Sequence, residues 1–175
     1  MQLAVRRVRA NAERYNVDRA RVGAYGWSAG GQLAALLGAR DTRDPAAPLA
    51  GHPSRVACIV GLAGDVDLAA YTAPPASDEV AALLGGTPAE VPGRYRDASP
   101  LSWIDGRTAP FLVVHGTGDD VVPIAQSRRL VAALRAAGVA AEYRELPGVG
   151  HDGLGWGRVG AAVLAFLARH LRPAV

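Results

Sequence analysis

The sequence of 175 residues has no lysine, a single cysteine and no long uninterrupted apolar run. Its 19 basic residues are all arginine, and 16 acidic residues scattered among them leave a formal net charge of +3. This weak and unclustered balance gives no indication of a nucleic-acid partner or of a membrane surface. A lone cysteine excludes an internal disulfide, and apolar neighbours predict that Cys58 is a buried thiol, not a nucleophile.

The apolar runs stay shorter than the roughly 18–20 residues that a membrane-spanning helix requires. The first residues also lack the apolar segment and cleavage site of a secretory signal peptide. We therefore expect a cytoplasmic protein with no membrane partner. Half of the residues are hydrophobic, which is enough to build one domain over residues 1–175.

Short β-branched runs alternate with helical patterns along the chain. This alternation predicts an α/β fold, in which a parallel sheet of about four strands carries helices on both faces. The strand candidates are residues 21–26, 55–61, 110–116 and 140–146. The helix candidates are residues 2–15, 29–39, 124–137 and 156–171, with shorter pieces at 77–84 and 88–95.

The helix predicted at 2–15 has an amphipathic pattern, and its apolar face would consist of Leu3, Val5, Val8, Ala12 and Tyr15. Residues 64–109 are rich in Pro, Ala and Asp and are too long for a plain connection. We predict that this segment is an excursion over one end of the sheet, within the same domain.

One serine lies between a predicted strand and a predicted helix, in the stretch GWSAG at residues 26–30. So sharp a turn needs small residues two positions before and two positions after Ser28, and the G-x-S-x-G pattern supplies Gly26 and Gly30. The turn would expose the hydroxyl and aim the backbone N–H of Ala29 into the same space, as an oxyanion donor. A helix N-cap is the alternative role for this serine, but the strand-turn-helix context favours a nucleophile.

A nucleophilic hydroxyl needs a base and an orienting acid, and candidates for both follow later strands. Asp119 lies in HGTGDD after the third predicted strand, and His151 lies in PGVGHDG after the fourth. Serine, aspartate and histidine then follow one another in the chain order of α/β-hydrolases. Asp120 and Asp152 are competing acids; the turn that precedes Asp119 favours Asp119, because its carboxylate comes first after the turn.

Other side chains receive lesser roles. His115, at the end of a buried strand, is predicted to be a structural histidine that is hydrogen-bonded in its loop. Trp27, Tyr71 and Trp103 are candidates for the lining of a substrate pocket, although aromatic residues near helices more often belong to the core. No spacing of His, Cys and Glu indicates a metal site, and the chemistry requires no cofactor.

Four segments together resemble the α/β-hydrolase carboxylesterases: GWSAGGQLAALLG, LLGGTPAE, PFLVVHGTGDDVVP and YRELPGVGHDG. The strongest resemblance is to the hormone-sensitive-lipase-like esterases and to the xylan deacetylase and feruloyl esterase-like group. It implies that Ser28 is the nucleophile, Asp119 the acid and His151 the base. It also implies substrate contacts from the excursion, where Asp65 and Asp67 would structure the loop.

The resemblance covers only the C-terminal part of such esterases. Family members carry further strands, and a His-Gly-Gly-type loop that supplies half of the oxyanion hole, ahead of the region that matches Met1. The strand at 21–26 is therefore expected to form a bare apolar edge. We expect the chain to associate through this edge, for instance as a homodimer, unless it is a fragment of a longer protein.

These observations predict a serine hydrolase that cleaves small-molecule carboxylic esters with short acyl groups, through an acyl-enzyme on Ser28. Two alternatives stay open. In the first, the chain is a truncated, catalytically silent hydrolase-like domain. In the second, it is a prolyl-oligopeptidase-like peptidase, because the C-terminal half of those enzymes has the same elbow and loop pattern.

Overall fold

A single sheet of four parallel strands organises the computed structural model, which describes residues 1–42 and 48–172. The strands are β1 (Gly23–Trp27), β2 (Cys58–Leu62), β3 (Phe111–Gly116) and β4 (Ala141–Leu146). They lie in the sheet in the order of the sequence, β1-β2-β3-β4. The predicted four-stranded parallel sheet is confirmed, and every strand end falls within three residues of its predicted place.

Helices connect the strands and cover them. Among the described residues they are α1 (Gln2–Ala10), α2 (Ala12–Tyr15), α3 (Ala29–Ala39), α4 (Ala76–Leu84), α5 (Pro92–Ala98), α6 (Ala125–Ala136) and α7 (Trp156–His170). The three long helices predicted after the first, third and fourth strands are confirmed to within one residue at each end. Across this part of the chain, no helix combines the length and the apolar character needed to cross a membrane.

Both faces of the sheet hold an apolar core, because side chains of the two central strands alternate between the faces. On one face, Ile59 and Phe111 pack with residues of α3 and α6. On the other face, Val60 and Leu112 pack against α7, whose Phe166 is completely buried. The prediction of helices on both faces is therefore confirmed.

Two of the predicted helices have different bounds. The helix expected at 2–15 breaks at Asn11 into α1 and α2. The short piece expected at 88–95 is found over Pro92–Ala98 instead, as α5. Glu90 accepts the N–H of Thr87 in a turn before α5, and Pro92 occupies the first helical position, where its missing N–H is not needed.

The apolar face predicted for the first helix is partly wrong. Leu3 and Tyr15 are about half exposed, at 52 and 45 %, whereas Arg6 and Arg9 are buried. Each of these guanidinium groups donates a hydrogen bond to a main-chain carbonyl in the segment 52–53. The arginines are buried because their N–H groups find acceptors there, which a periodicity of apolar residues does not reveal.

The excursion at 64–109 leaves the sheet after β2 and is fixed to α6 at its start. Gln126 of α6 is buried, accepts the main-chain N–H groups of Val66 and Asp67, and donates to the carbonyl of Asp67. The Asp67 carboxylate also pairs with Arg129 at 2.9 Å. These contacts agree with the loop-structuring role expected for Asp67.

Candidate active site

Ser28 forms the turn between β1 and α3, at the carboxyl end of the sheet. Its backbone has a positive φ (φ 57°, ψ −128°), a conformation that a residue other than glycine adopts only when its surroundings enforce it. A Cβ atom on Gly26 would lie 2.0 Å from the carbonyl oxygen of Gly30, whereas one on Gly30 would meet open space. The expectation that both flanking positions must be small is therefore right for Gly26 and wrong for Gly30.

His151 joins the serine to a carboxylate. Its ring, in a short 3₁₀ turn after β4, has Nε2 at 3.0 Å from Ser28 Oγ and Nδ1 at 2.8 Å from Asp119 Oδ2. The competing carboxylates of Asp120 and Asp152 are exposed to solvent. With Nδ1–H donated to the carboxylate, the Nε2 lone pair faces the hydroxyl and can accept its proton.

The Asp119 carboxylate is completely buried and hydrogen-bonded through both oxygens. Its Oδ1 accepts the main-chain N–H groups of Val121 and Val122, at 3.0 and 2.8 Å. Burial is the largest single influence and raises the pKa of Asp119. The hydrogen bonds from His151 and from the two amides together outweigh burial and hold this pKa below its ordinary value. Asp119 is therefore ionised at neutral pH, as the acid of a triad must be.

The acid loop and the histidine loop contact each other directly. The N–H of Gly118 donates to the carbonyl of Val149 at 3.0 Å, and the N–H of Gly148 donates to the Thr117 hydroxyl at 2.8 Å. A Cβ atom on Gly116 would lie 2.0 Å from the carbonyl oxygen of Val149. Glycine at the end of β3 thus permits the close approach that brings the two loops together.

A second histidine also contacts the acid. His115 is completely buried at the end of β3, and its Nε2 lies 3.1 Å from Asp119 Oδ2 and 2.9 Å from the carbonyl oxygen of Val122. Its Nδ1 lies 2.7 Å from Ser127 Oγ on α6. The expectation of a buried histidine that is hydrogen-bonded in its loop is confirmed. The contact with Asp119 was not predicted. His115 and Asp119 lie four residues apart in HGTGD, and this spacing could have indicated it.

A cavity of about 270 Å³ opens beside Ser28. Much of its wall comes from the excursion, including Asp65, Leu68 and Tyr71 and residues of its helix α4, none of which is fully buried. Ala29 also lines it. Because Ala29 is the first residue of α3, its backbone N–H has no acceptor within the helix and is available to a ligand.

Of the three aromatic candidates, Tyr71 lines this cavity. Its hydroxyl donates a hydrogen bond to Asp65, and burial is the main cause that raises the pKa of Tyr71. Trp27, at the end of β1, lies against His151 with 5.0 Å between the ring centroids. The indole therefore covers one side of the imidazole while remaining 43 % exposed.

The structure does not bring Trp103 to the cavity. Its indole N–H donates to the carbonyl of Arg96 at 3.1 Å, and the guanidinium of Arg40 lies 4.0 Å above its ring. These contacts hold the side chain elsewhere. Gln32 of α3, which the sequence did not single out, does line the cavity, and its amide donates to the carbonyl of Ala98 at 2.8 Å.

Over residues 1–42 and 48–172, no group of three or more His, Cys, Asp or Glu side chains is arranged to hold a metal ion. Cys58 is completely buried in β2, as predicted, and burial raises its pKa to about 11. Its sulfur is therefore a neutral thiol at physiological pH.

Comparisons with known proteins identify the family of the chain. Residues 1–134 match the BD-FAE family model. Esterase LipC of Mycobacterium tuberculosis is 35 % identical over 179 residues, which cover 95 % of this chain and 44 % of LipC. The chain thus spans less than half the length of this relative.

Two solved structures are similar in fold. One is a truncated form of a carbohydrate esterase from gut microbiota, with 29 % identity and a TM-score of 0.84 over 97 % of this chain and 66 % of that one. The other is an acetyl ester-xyloside bifunctional hydrolase from Caldicellulosiruptor lactoaceticus, with 29 % identity and a TM-score of 0.75 over 95 % of this chain and 59 % of that one. The predicted resemblance is confirmed, and the chain belongs to the BD-FAE family of α/β-hydrolase esterases.

Proposed function

We propose that this chain carries the catalytic groups of a serine esterase, which hydrolyses carboxylic esters of short acyl groups through an acyl-enzyme on Ser28. The proposal rests above all on His151, which lies 3.0 Å from the serine hydroxyl and 2.8 Å from the Asp119 carboxylate. A hydroxyl is a weak nucleophile by itself, and this arrangement supplies the base and the fixed negative charge that activate it.

The reaction begins when an ester carbonyl enters the cavity beside Ser28. His151 Nε2 takes the hydroxyl proton as Oγ attacks the carbonyl carbon, and Asp119 stabilises the imidazolium that forms. The developing oxyanion accepts a hydrogen bond from the N–H of Ala29 at the start of α3. The bond to the alcohol then breaks, and His151 returns the proton to the leaving oxygen.

The second half of the reaction releases the acid. Water gives a proton to His151 and attacks the acyl carbon, and Ser28 leaves with that proton. Trp27 covers one side of the imidazole, so we assign it to shielding the base and contacting the substrate. Tyr71 contributes to the cavity wall and is assigned to substrate contact as well.

The cavity volume of about 270 Å³ is slightly below the roughly 300–1,000 Å³ of typical ligand sites, which supports a small acyl group. The names of the two similar structures, a carbohydrate esterase and an acetyl ester-xyloside bifunctional hydrolase, support acetyl esters in particular. The names of the relatives also favour esters over peptides as substrates.

Hydrolysis of p-nitrophenyl acetate by the purified chain tests the proposal. We expect turnover that disappears in Ser28→Ala and is unchanged in the matched control Ser102→Ala, whose serine is exposed. If the N–H of Ala29 acts without a second oxyanion donor, turnover is expected to be about 10²–10³-fold slower than with two donors, so enough enzyme for a single-turnover burst is required.

Two other outcomes would reject the proposal. Equal inactivity of wild type and Ser28→Ala would identify a catalytically silent domain. Efficient cleavage of a chromogenic dipeptide amide, with little ester hydrolysis, would identify a peptidase.

A further inference from the structure

We propose that His115 is a positioning residue for the acid of the triad. Its Nε2–H holds Asp119 Oδ2 at the place where that oxygen receives the Nδ1–H of His151. The effect of His115 on rate rests on the proposed function. The hydrogen-bond arrangement does not, and it can be measured in a protein without activity.

The surroundings of the His115 ring determine which nitrogen carries the proton. Nε2 faces two acceptors, the carbonyl oxygen of Val122 at 2.9 Å and the carboxylate oxygen of Asp119 at 3.1 Å. Neither acceptor has a hydrogen to offer, so Nε2 must carry one. Nδ1 faces the hydroxyl of Ser127 at 2.7 Å, which can donate to it. In the neutral Nε2–H tautomer the N–H donates to the Val122 carbonyl, and the same nitrogen lies 3.1 Å from the Asp119 oxygen.

A neutral ring suits this position. His115 is completely buried, and burial lowers its pKa. A protonated ring beside Asp119 would compete with the imidazolium of His151 for the same negative charge during the reaction. A neutral N–H donor fixes the carboxylate without neutralising it.

Removal of this donor would free the carboxylate at one oxygen. Asp119 Oδ1 accepts two main-chain N–H groups, while Oδ2 accepts the Nδ1–H of His151 and lies 3.1 Å from Nε2 of His115. Rotation of the carboxylate would break the three hydrogen bonds from Val121, Val122 and His151 and the contact with His115 together. Without His115, Oδ2 is held by His151 alone, and the two groups can move together away from Ser28.

Two amide substitutions separate positioning from simple filling of space. The amide nitrogen of His115→Gln reaches the position of Nε2 and keeps the donor to Asp119. The shorter amide of His115→Asn reaches only the position of Nδ1, so it keeps the contact with Ser127 and loses the donor. His170→Gln, at the end of α7, is the control for loss of a histidine elsewhere.

We expect kcat for p-nitrophenyl acetate to fall about tenfold or more in His115→Asn with KM within about twofold, by analogy with the loss of a hydrogen-bond partner behind a metal-ligating side chain. His115→Gln should recover most of kcat. A kcat that is equal in the two amide variants, with both folded to the same melting temperature, would overturn the proposal.

Proton and nitrogen NMR gives a second measurement that is independent of activity. We expect His115 as the Nε2–H tautomer. The far-downfield proton between His151 and Asp119 should be visible in wild type and His115→Gln and lost to exchange in His115→Asn. An Nδ1–H tautomer at His115 overturns the proposal even if His115→Asn does not fold. If wild type shows these signals but no esterase activity, the proposed function fails and the positioning role stands.

Discussion

At the scale of single residues, Asp119 and Asp120 form a natural comparison, because they are neighbours in one loop and only Asp119 reaches His151. We expect Asp119→Asn to lower kcat about 10³–10⁴-fold, since an amide at this place favours the wrong tautomer of the imidazole. Asp120→Asn should stay within about twofold of wild type. Steady-state hydrolysis of p-nitrophenyl acetate measures kcat of both variants. A larger loss of kcat in Asp120→Asn than in Asp119→Asn would contradict the assignment of Asp119 as the acid.

The same carboxylate makes stability depend on pH. Its pKa in the folded protein is below the ordinary value of about 3.9 that applies to the unfolded chain. The ionised form therefore stabilises the fold above that pH, and this contribution is lost as the pH falls through the folded-state pKa. We expect the difference in free energy of unfolding between wild type and Asp119→Asn to shrink when the pH is lowered from 7 to 3. Urea unfolding at both pH values measures it, and a constant difference would contradict the shift.

At the scale of elements, the turn between β1 and α3 makes opposite demands on its two glycines. A Cβ atom on Gly26 would overlap the carbonyl of Gly30, but one on Gly30 meets open space. We expect Gly26→Ala to destabilise the fold by about 3 kcal/mol, because the backbone has to move. Gly30→Ala should stabilise it by about 0.5–1 kcal/mol as a helical residue. Thermal unfolding of the pair tests this, and equal melting temperatures would contradict it.

Sequence patterns located those elements whose signal is local. The helix after Ser28 was predicted to the residue, because apolar spacing and the Gly-rich turn both mark its bounds. The buried face of α1 was not predicted correctly, because burial of Arg6 and Arg9 depends on carbonyls in the segment 52–53, more than 40 residues away in the chain. Spacing within a helix contains no information about such distant acceptors.

The residues of the candidate site divide in the same way, into those with a local sequence signal and those whose position depends on distant contacts. Ser28, Asp119 and His151 were named from motifs that combine a turn, a strand and a polar residue, and the structure brings His151 within hydrogen-bond distance of the other two. Trp103 was assigned from its residue type alone, and its place depends on Arg40 in another element. An aromatic residue in an excursion has no periodicity that would tell which side faces a cavity.

At the scale of the whole molecule, β1 lies at one edge of the sheet and pairs only with β2 among the described strands. Tyr25 of this strand is 47 % exposed and contacts Trp156, which is 56 % exposed, with 6.4 Å between ring centroids. An apolar open edge is a template for pairing with another strand. We propose that two copies of the chain associate through β1.

Light scattering over a range of protein concentrations tests this association. We expect dimers or larger species for wild type, and weaker association for Tyr25→Lys, because a charged edge residue opposes strand pairing. Leu164→Lys is the matched control, since Leu164 is equally apolar and 58 % exposed, but lies on α7. A wild-type chain that stays monomeric, or a control that dissociates the species as well as Tyr25→Lys does, would contradict an interface at β1.

The order of the strands also determines when the serine becomes reactive. Ser28 follows β1, whereas its base follows β4, 123 residues later. A ribosome-bound or partly folded chain that has docked three strands already has the elbow, but not the imidazole that activates it. Reaction of Ser28 with an organophosphonate would therefore mark only those molecules in which β4 and the histidine loop have docked, and its time course would report that docking.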